Sequence, residues 1–366
     1  MSIRIGTNKN FISELWCAVI IWLMIVQHIA PKYLYICGAL GIAAGFVLFI
    51  RCIRRYGLKR NFFYFTLALS FFGILNNVLI GQSNMGFVLT TLFVFFPVAV
   101  VFSHIERFST NFWKWNIIFL CTFILYRYLL VNPGRVFYNQ SENYLSFYLT
   151  FFLFLLTLVL DKEGRRIPFG IVVAYFAGCI IGLGRGGILA GAFYLLAQFC
   201  QRFINNRRTI FGGILLLAIS TALFIKTSDY ILENYFPKFM TGSNSLVDAT
   251  DSRQEIVNEY FGVLIGKSEL KHIVLGVNTD NLYTAYTLHG NVHNSFLMLH
   301  SFFGLAALYF IWLSIRDVFR KRFDLSIICI TFFIRVVSDT FFLNEVGMII
   351  PLYLMVDFWK RNDSTI

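Results

Sequence analysis

The sequence predicts an all-α, polytopic integral membrane protein, on the evidence of its composition, its long apolar runs and the placement of its basic residues. Hydrophobic residues make up 58% of the 366 residues and charged residues only 14%, against about 25% charged residues in a soluble domain. Phenylalanine alone occupies 43 positions. A soluble domain of this size could not bury so much apolar surface, whereas a bilayer covers it with lipid.

The apolar runs set the expected number of spanning helices. A helix that crosses a bilayer needs about 20 mostly apolar residues, and about 12 runs approach this length. They fall near residues 11–30, 33–52, 61–81, 86–104, 114–132, 143–160, 168–183, 185–201, 209–226, 294–315, 324–339 and 342–358. The two runs that flank Gly184 can form either two short helices joined by a tight turn or one re-entrant hairpin.

The order of these runs divides the chain into three parts. Residues 1–226 form an N-terminal transmembrane bundle of about nine helices, residues 227–293 form one large loop, and residues 294–366 contribute about three more helices. The loop is the part of the chain polar enough to fold in water.

The loop also contains a predicted helix. Ser252 and Glu255 have the spacing of a capping box, which marks a helix start. Apolar residues then follow at helical intervals, at Ile256, Tyr260, Val263 and Leu264. This pattern predicts an amphipathic helix that lies on the membrane surface or on the bundle.

The basic residues indicate the orientation of the chain. If the N-terminus is inside, most of the 31 Lys and Arg residues fall in inner segments, as the positive-inside rule requires. Both termini are then cytoplasmic and the large loop is outside. This rule and contact with anionic membrane lipid account for the net charge of +12. No soluble basic stretch is interleaved with aromatic residues, so no nucleic-acid partner is expected.

Ionisable residues within apolar runs are costly and are therefore candidates for function. On the predicted topology, several lie near the outer ends of their helices, namely Arg127, Arg185, Arg335, Asp339 and Glu345. Others lie in the outer loops, namely Arg135, Glu142, Arg253 and His293. This one-sided distribution predicts a site at the outer leaflet.

Arg185 is the first candidate for that site. It is followed by Gly186 and Gly187 at the predicted start of a helix. A guanidinium suits a phosphate group because of its planar fork of donors, glycines let a large ligand approach, and a helix start adds amide dipoles. The alternative is that Arg185 extends to the outer lipid headgroups.

Arg253 and His293 are the other two candidates. Arg253 lies in the first turn of the loop helix, where a cation opposes the helix dipole unless an anion binds nearby. His293 precedes the next membrane helix, where a neutral imidazole can accept a proton from an attacking hydroxyl and Asn294 can orient a sugar or the ring. The alternatives are a surface arginine paired with a neighbouring carboxylate and a helix-start histidine with no chemical role. His300 is interpreted as a packed polar residue.

These motifs, in this order, resemble those of the O-antigen polymerase (Wzy-type) and O-antigen ligase superfamily. The resemblance covers Arg185-Gly186-Gly187, Arg253 in a loop helix, and His293-Asn294 before a helix that contains Gly304. It also covers Leu275-Gly276-Val277-Asn278, where Asn278 replaces the second glycine of the family pattern.

The resemblance implies a GT-C-like, metal-independent, inverting glycosyltransferase without a cofactor. It acts at the periplasmic face of the bacterial inner membrane on a glycan carried by undecaprenyl pyrophosphate. Arg185 and Arg253 would bind the pyrophosphate, with help from Gly186, Gly187, Arg127, Arg135 and Asn294. His293 would be the general base, and a polysaccharide chain-length regulator is an implied partner.

Three functions stay open at this point. A polymerase, which we favour, transfers the glycan to a second lipid-linked repeat unit in lipopolysaccharide biosynthesis, and a ligase transfers it to lipid A–core. A transporter or flippase of the same lipid-linked oligosaccharide is a further alternative, although the sequence lacks the related halves that such transporters usually show.

Overall fold

The computed structural model describes ten stretches of the chain. They are residues 10–56, 60–82, 85–132, 135–137, 144–182, 185–203, 255–265, 270–282, 294–337 and 345–363. Most of the described residues are helical, and these stretches contain no β-strand. Four of the described helices, or continuous pairs of helices, are long and apolar enough to cross a membrane, and three shorter apolar helices accompany them. The protein is therefore a helical membrane protein.

The helices are numbered in chain order. The first nine are α1 (Phe11–Val26), α2 (Pro31–Tyr56), α3 (Arg60–Leu79), α4 (Met85–Thr90), α5 (Phe96–His104), α6 (Thr110–Tyr126), α7 (Tyr144–Lys162), α8 (Phe169–Ile181) and α9 (Arg185–Phe203). The others are α10 (255–265), α11 (Leu270–Leu275), α12 (Ser295–Phe303), α13 (Leu305–Val318), α14 (Phe323–Val337) and α15 (Ile349–Asp363). Two π-helical turns, Thr91–Phe95 and Arg127–Val131, continue α4 and α6.

Most predicted spans correspond to described helices. The predicted span 209–226 lies outside the described residues, so the total of about twelve and the division into three parts remain predictions. The two runs around Gly184 form separate helices, α8 and α9. The Arg202 guanidinium near the end of α9 lies over the Phe169 ring at the start of α8, 5.3 Å away, so the two helices are antiparallel neighbours.

Polar contacts collect at the two ends of the bundle. We call them the Arg335 end, after the contacts around Ser146, Arg335 and Glu345, and the Asp357 end, after the ion pairs around Asp357. Helix α7 runs between them, from Ser146 to Lys162, over about 24 Å at the usual helical rise. The side chains between these ends form one large apolar core.

The Asp357 end is an ionic network. Lys321 pairs with Asp317 at 2.8 Å and also with Asp357, and Arg361 pairs with the same two carboxylates. The Ser103 hydroxyl donates to Asp357 at 3.1 Å. This network joins the ends of α5, α13 and α15, and most of its cations are bound to carboxylates, as buried charges require.

The predicted single span over residues 294–315 is wrong. The structure contains two helices, α12 and α13, which are separated by Gly304 in a left-handed backbone conformation (φ 53°). The backbone at the end of α11 approaches so closely that a Cβ on Gly304 would lie 2.7 Å from the Val274 carbonyl carbon. A run of apolar residues carries no signal of this break, because its cause is the backbone near Val274, in a different segment of the chain.

A second glycine, Gly276, packs against the same break between α12 and α13. Gly276 has φ 101°, and a Cβ there would lie 2.7 Å from the Ser301 carbonyl oxygen. The buried Asn76 amide of α3 donates to the Ser301 carbonyl at 2.6 Å and also to the Leu275 carbonyl. We call Asn76, Gly276 and Gly304 the glycine junction. It joins α3, the residues after α11, and the break between α12 and α13.

The predicted amphipathic helix of the large loop is confirmed for residues 255–265. Ile256 and Tyr260 are fully buried, and Val263 and Leu264 pack beside them. This face packs on Leu297 and Met298 of α12, so the helix lies on the bundle, which was one of the two placements considered. The predicted capping residue Ser252 lies outside the described residues.

Candidate functional site

Helix α9 begins at Arg185, as the Arg-Gly-Gly motif predicts. Gly187 lies against α7, where a Cβ would be only 2.5 Å from the Ser146 Cβ. Any larger residue would push the start of α9 away from α7. One glycine of the motif therefore has a packing role, while Gly186 is partly accessible in the first turn.

Arg335 is a residue of this region that the sequence motifs did not select. It is almost completely buried on the last turn of α14, at 1% exposure. Its Nε donates to the Ser146 hydroxyl at 3.0 Å and lies 3.8 Å from the Cβ position of Gly187. A buried cation thus contacts the start of the helix that carries Arg185. Its only signal in the sequence was its place near the outer end of an apolar run.

A buried carboxylate, that of Glu345, lies at the same end of the bundle as Arg335, and we call the buried ionisable groups at this end the polar layer. Glu345 is 4% exposed, accepts a hydrogen bond from the Tyr148 hydroxyl at 3.3 Å, and lies 3.4 Å from His28 Nε2. Burial lowers the pKa of His28, in the turn between α1 and α2, to about 4, so this imidazole is neutral at pH 7. The Gln27 side-chain amide lies 3.2 Å from the same ring nitrogen.

Arg127 joins this layer through an aromatic ring. Its Nε donates to the Val136 carbonyl at 3.0 Å, and its guanidinium lies 5.3 Å from the centre of the Phe137 ring. Phe137 is fully buried and packs against both Tyr148 and His28. Arg127 also opens a π-helical turn, a feature that is frequent at functional sites.

Two other predicted residues have clear local roles. The backbone N–H of Arg135 donates to the Asn132 carbonyl at 2.8 Å, and its side chain is exposed. Asn294 caps α12, because its Oδ1 accepts from the backbone N–H groups of Phe296 and Leu297 at 2.9 and 3.2 Å. The oxygen of Asn294 is thus engaged in the cap, and its amide nitrogen is the group left for a ligand.

His300 is a packed polar residue, as its place in the sequence predicts. It is 5% exposed, its Nε2 donates to the Ile273 carbonyl at 3.0 Å, and its Nδ1 accepts from the Tyr260 hydroxyl at 2.7 Å. A carbonyl oxygen can only accept, which fixes the proton on Nε2. These bonds connect α10 and α11 to α12 and give His300 a structural role.

Helix α14 connects the segments that carry the predicted catalytic residues. The Phe296 ring, in the first turn of α12, stacks on Phe333 of α14 with ring centres 6.2 Å apart. Two residues later, Arg335 contacts the start of α9. The helix that follows His293 and the helix that begins at Arg185 therefore pack on the same end of α14.

The loop helix approaches the same place. The Tyr260 hydroxyl oxygen of α10 lies 3.2 Å from the Leu297 carbonyl oxygen in the first turn of α12. Residue 255, the first described residue of α10, follows Arg253 by two positions. Arg253 and His293 lie outside the described residues, as does the side chain of Arg185. The structure thus places the helix that begins at Arg185 and the helices that follow residues 253 and 293, and the shared site of these residues remains a prediction.

The fold and its polar contacts define a helical membrane protein with buried ionisable groups at both ends of the bundle. No family model, curated protein or solved structure matches the chain. Within the described stretches, no group of three His, Cys, Asp or Glu residues is placed to hold a metal ion.

Proposed function

We propose that the protein is a surface-polysaccharide polymerase of the O-antigen type. It transfers a glycan from undecaprenyl pyrophosphate to a lipid-linked repeat unit, at the periplasmic face of a bacterial inner membrane. The observation that carries this proposal is that α9 and α12 pack on the end of α14 and that α10 packs on α12. These are the helices that begin at, or next to, the three residues on which the family resemblance rests.

The proposed reaction is a single inverting displacement. The acceptor hydroxyl oxygen attacks the anomeric carbon of the donor sugar, the bond from that carbon to the pyrophosphate oxygen breaks, and undecaprenyl pyrophosphate leaves. His293 takes the hydroxyl proton, and Arg185 and Arg253 neutralise the charge that develops on the leaving group. Fixed guanidinium groups favour this charged transition state over the ground state.

The described residues supply the support for this site. Arg335 and Ser146 fix the start of α9 and thereby the position of Arg185, because Gly187 leaves no space for movement toward α7. The backbone N–H groups in the first turn of α9 point toward the Arg335 end of the bundle. Such a helix start is a favourable place for an anion. The reaction assigned to these residues requires neither a metal ion nor a cofactor.

The charge distribution supports the proposed orientation. Cations are numerous at the Asp357 end, where Lys162, Arg202, Lys321, Arg322, Lys360 and Arg361 contact described residues. By the positive-inside rule this end faces the cytoplasm, and the Arg335 end faces the periplasm. A pyrophosphate headgroup in the outer leaflet then reaches the predicted site.

Reporter fusions test this orientation. A fusion at Asn205, just after α9, is expected to report the cytoplasm, whereas a fusion at Ser243 in the large loop is expected to report the periplasm. The reason is that α9 runs from the Arg335 end to the Asp357 end and one further predicted span, 209–226, precedes the loop. If both fusions report the same compartment, the orientation and the periplasmic site are both wrong.

Deletion of the gene distinguishes the proposed polymerase from its alternatives. Without a polymerase, surface lipid is expected to carry a single repeat unit and to lose the long-chain ladder on a gel, because transfer to the lipid acceptor continues. Complementation with the intact gene should restore the ladder. Loss of every repeat unit, with accumulation of lipid-linked polymer, would show a ligase instead. A normal ladder would exclude both enzymes.

A further inference from the structure

An apolar groove lies on the outside of the bundle near the Asp357 end. It is formed by α3, α13 and α15 and has a volume of about 520 Å³. Tyr64, Phe65 and Phe72 line one wall, and Leu305 and Tyr309 line the other. From Tyr64 to Phe72 the groove follows α3 for about 12 Å along the helix.

Two arginines stand at the end of this groove. The Arg316 guanidinium lies between the rings of Trp312 and Phe358, 5.2 and 5.1 Å from their centres. The Arg320 guanidinium lies 5.3 Å from the centre of the same Phe358 ring. Phe358 also lines the groove, so the cationic and the apolar parts share a residue and form one continuous surface.

These two cations differ from their neighbours at the Asp357 end. Lys321 and Arg361 are bound to Asp317 and Asp357, whereas Arg316 and Arg320 are exposed and form no ion pair with any described residue. Two like charges on one ring repel each other, and an anion between them would remove that repulsion. The aromatic rings hold the guanidinium groups in place, which lowers the entropy cost of binding a ligand.

The groove and the arginines follow one face of α13. Leu305, Tyr309, Trp312 and Arg316 recur at intervals of three and four residues, so they form a single stripe along the helix. Tyr309 and Trp312 are each about half exposed, at 55% and 52%. Along this stripe the surface changes from apolar, toward the middle of the bundle, to cationic, at its end.

We propose that this surface binds an anionic glycerophospholipid, with the phosphate between Arg316 and Arg320 and an acyl chain in the groove. The order of apolar and cationic residues matches the order of chain and headgroup in such a lipid. The headgroup lies at the Asp357 end, opposite the layer that contains Arg335, so this site is separate from the proposed transfer site and does not depend on it. Basic residues close to the cytoplasmic surface of a membrane attract anionic lipid headgroups.

Lipid binding to the purified, full-length protein tests the proposal. Phosphatidylglycerol and phosphatidylcholine with identical acyl chains are added to the protein in one detergent, and bound lipid is measured by native mass spectrometry. Phosphatidylglycerol is expected to bind at least about tenfold more tightly, and the preference should weaken at high salt because exposed charges are screened.

Matched variants assign the site. The double variant Arg316→Gln, Arg320→Gln is expected to lose the preference for phosphatidylglycerol, whereas Arg165→Gln, Arg166→Gln, which removes two exposed arginines at the same end of the bundle, should keep it. Ala306→Phe, which fills the groove, should weaken binding of both lipids. Elution volume and helical content are measured for each variant, and Ala306→Phe keeps the test decisive if the arginine variant does not fold.

Three results would overturn the proposal. One is equal binding of the two lipids to the unaltered protein, and another is an unchanged preference in the Arg316, Arg320 variant. The third is stronger binding of undecaprenyl phosphate than of phosphatidylglycerol with the same dependence on Arg316 and Arg320, which would assign the groove to an isoprenoid chain instead of a phospholipid.

Discussion

His293→Ala is expected to lower the rate of polymer formation by about 10²–10⁴, the usual contribution of a general base. Arg185→Ala and Arg253→Ala are expected to lower it by about 10²–10³ each, the usual effect of removing one donor that stabilises a developing charge. The measurement is polymer formed from lipid-linked repeat units by purified variants. Each variant should still fold, because the proposed roles concern the substrate and not the core.

A positive charge at position 185 is not expected to be sufficient for activity. Arg185→Lys should recover little activity, since lysine keeps the charge but loses the planar fork that can contact two phosphate oxygens. Arg166→Ala is a suitable control, because Arg166 is an exposed arginine between α7 and α8. Its rate should equal that of the unaltered protein.

His300→Ala is a poor control for His293, although the sequence alone favoured it. The buried His300 ring bonds to Tyr260 and to the Ile273 carbonyl, so its removal would disturb the packing of α10 and α11 on α12. Arg135→Ala is more informative, since its exposed side chain lies in the loop above the polar layer and a moderate loss would indicate a secondary contact with the substrate.

Three outcomes would remove parts of this mechanism. Full activity of His293→Ala would exclude the general-base role, and loss of activity on addition of a chelator would exclude the metal-independent reaction. A distance greater than about 15 Å from Arg185 to both Arg253 and His293 would exclude a shared site, because hydrogen bonds reach only about 3 Å.

Gly304→Ala and Gly276→Ala are expected to destabilise the protein by about 3 kcal/mol or more each, through overpacking together with a strained backbone conformation. Both glycines have positive φ values. In each case the new Cβ would meet backbone atoms, which cannot move aside as a flexible side chain can. Thermal unfolding in detergent, measured by loss of helical signal, provides the test.

Gly170→Ala is the matched control for these two variants. Gly170 is an exposed position in α8, and a Cβ there meets no atom within 4 Å. Alanine should be neutral at this position or stabilise the helix by up to about 1 kcal/mol. Unchanged stability of Gly304→Ala would show that α12 and α13 are not held apart at the glycine junction, and that the single predicted span was closer to the truth.

The local pattern of the sequence predicted several elements well. The spacing of Ile256, Tyr260, Val263 and Leu264 identified both the loop helix and its buried face. The Arg-Gly-Gly motif identified the start of α9 at Arg185. These features depend on helical periodicity and on the tolerance of glycine for close packing, which are properties of neighbouring residues.

Other features depend on residues that are distant in the sequence. The break at Gly304 arises because the backbone near Val274 occupies the space that a straight helix with a side chain at this position would need. The importance of Arg335 arises because Ser146, which lies 189 positions earlier, accepts its hydrogen bond. Neither contact leaves a signal in an apolar run that contains one glycine or one arginine.

The sequence by itself determined that this is a helical membrane protein, because a bilayer admits long apolar helices whose backbone groups are satisfied internally. It also selected Arg185, Arg253 and His293 as candidates. Only the tertiary structure decided that α9 and α12 pack on the end of α14 with α10 against α12, and that Arg316 and Arg320 flank an apolar groove. The reason is that helix packing follows from the shapes and small residues of surfaces in contact, whereas hydrophobicity along the chain records only which segments enter the membrane.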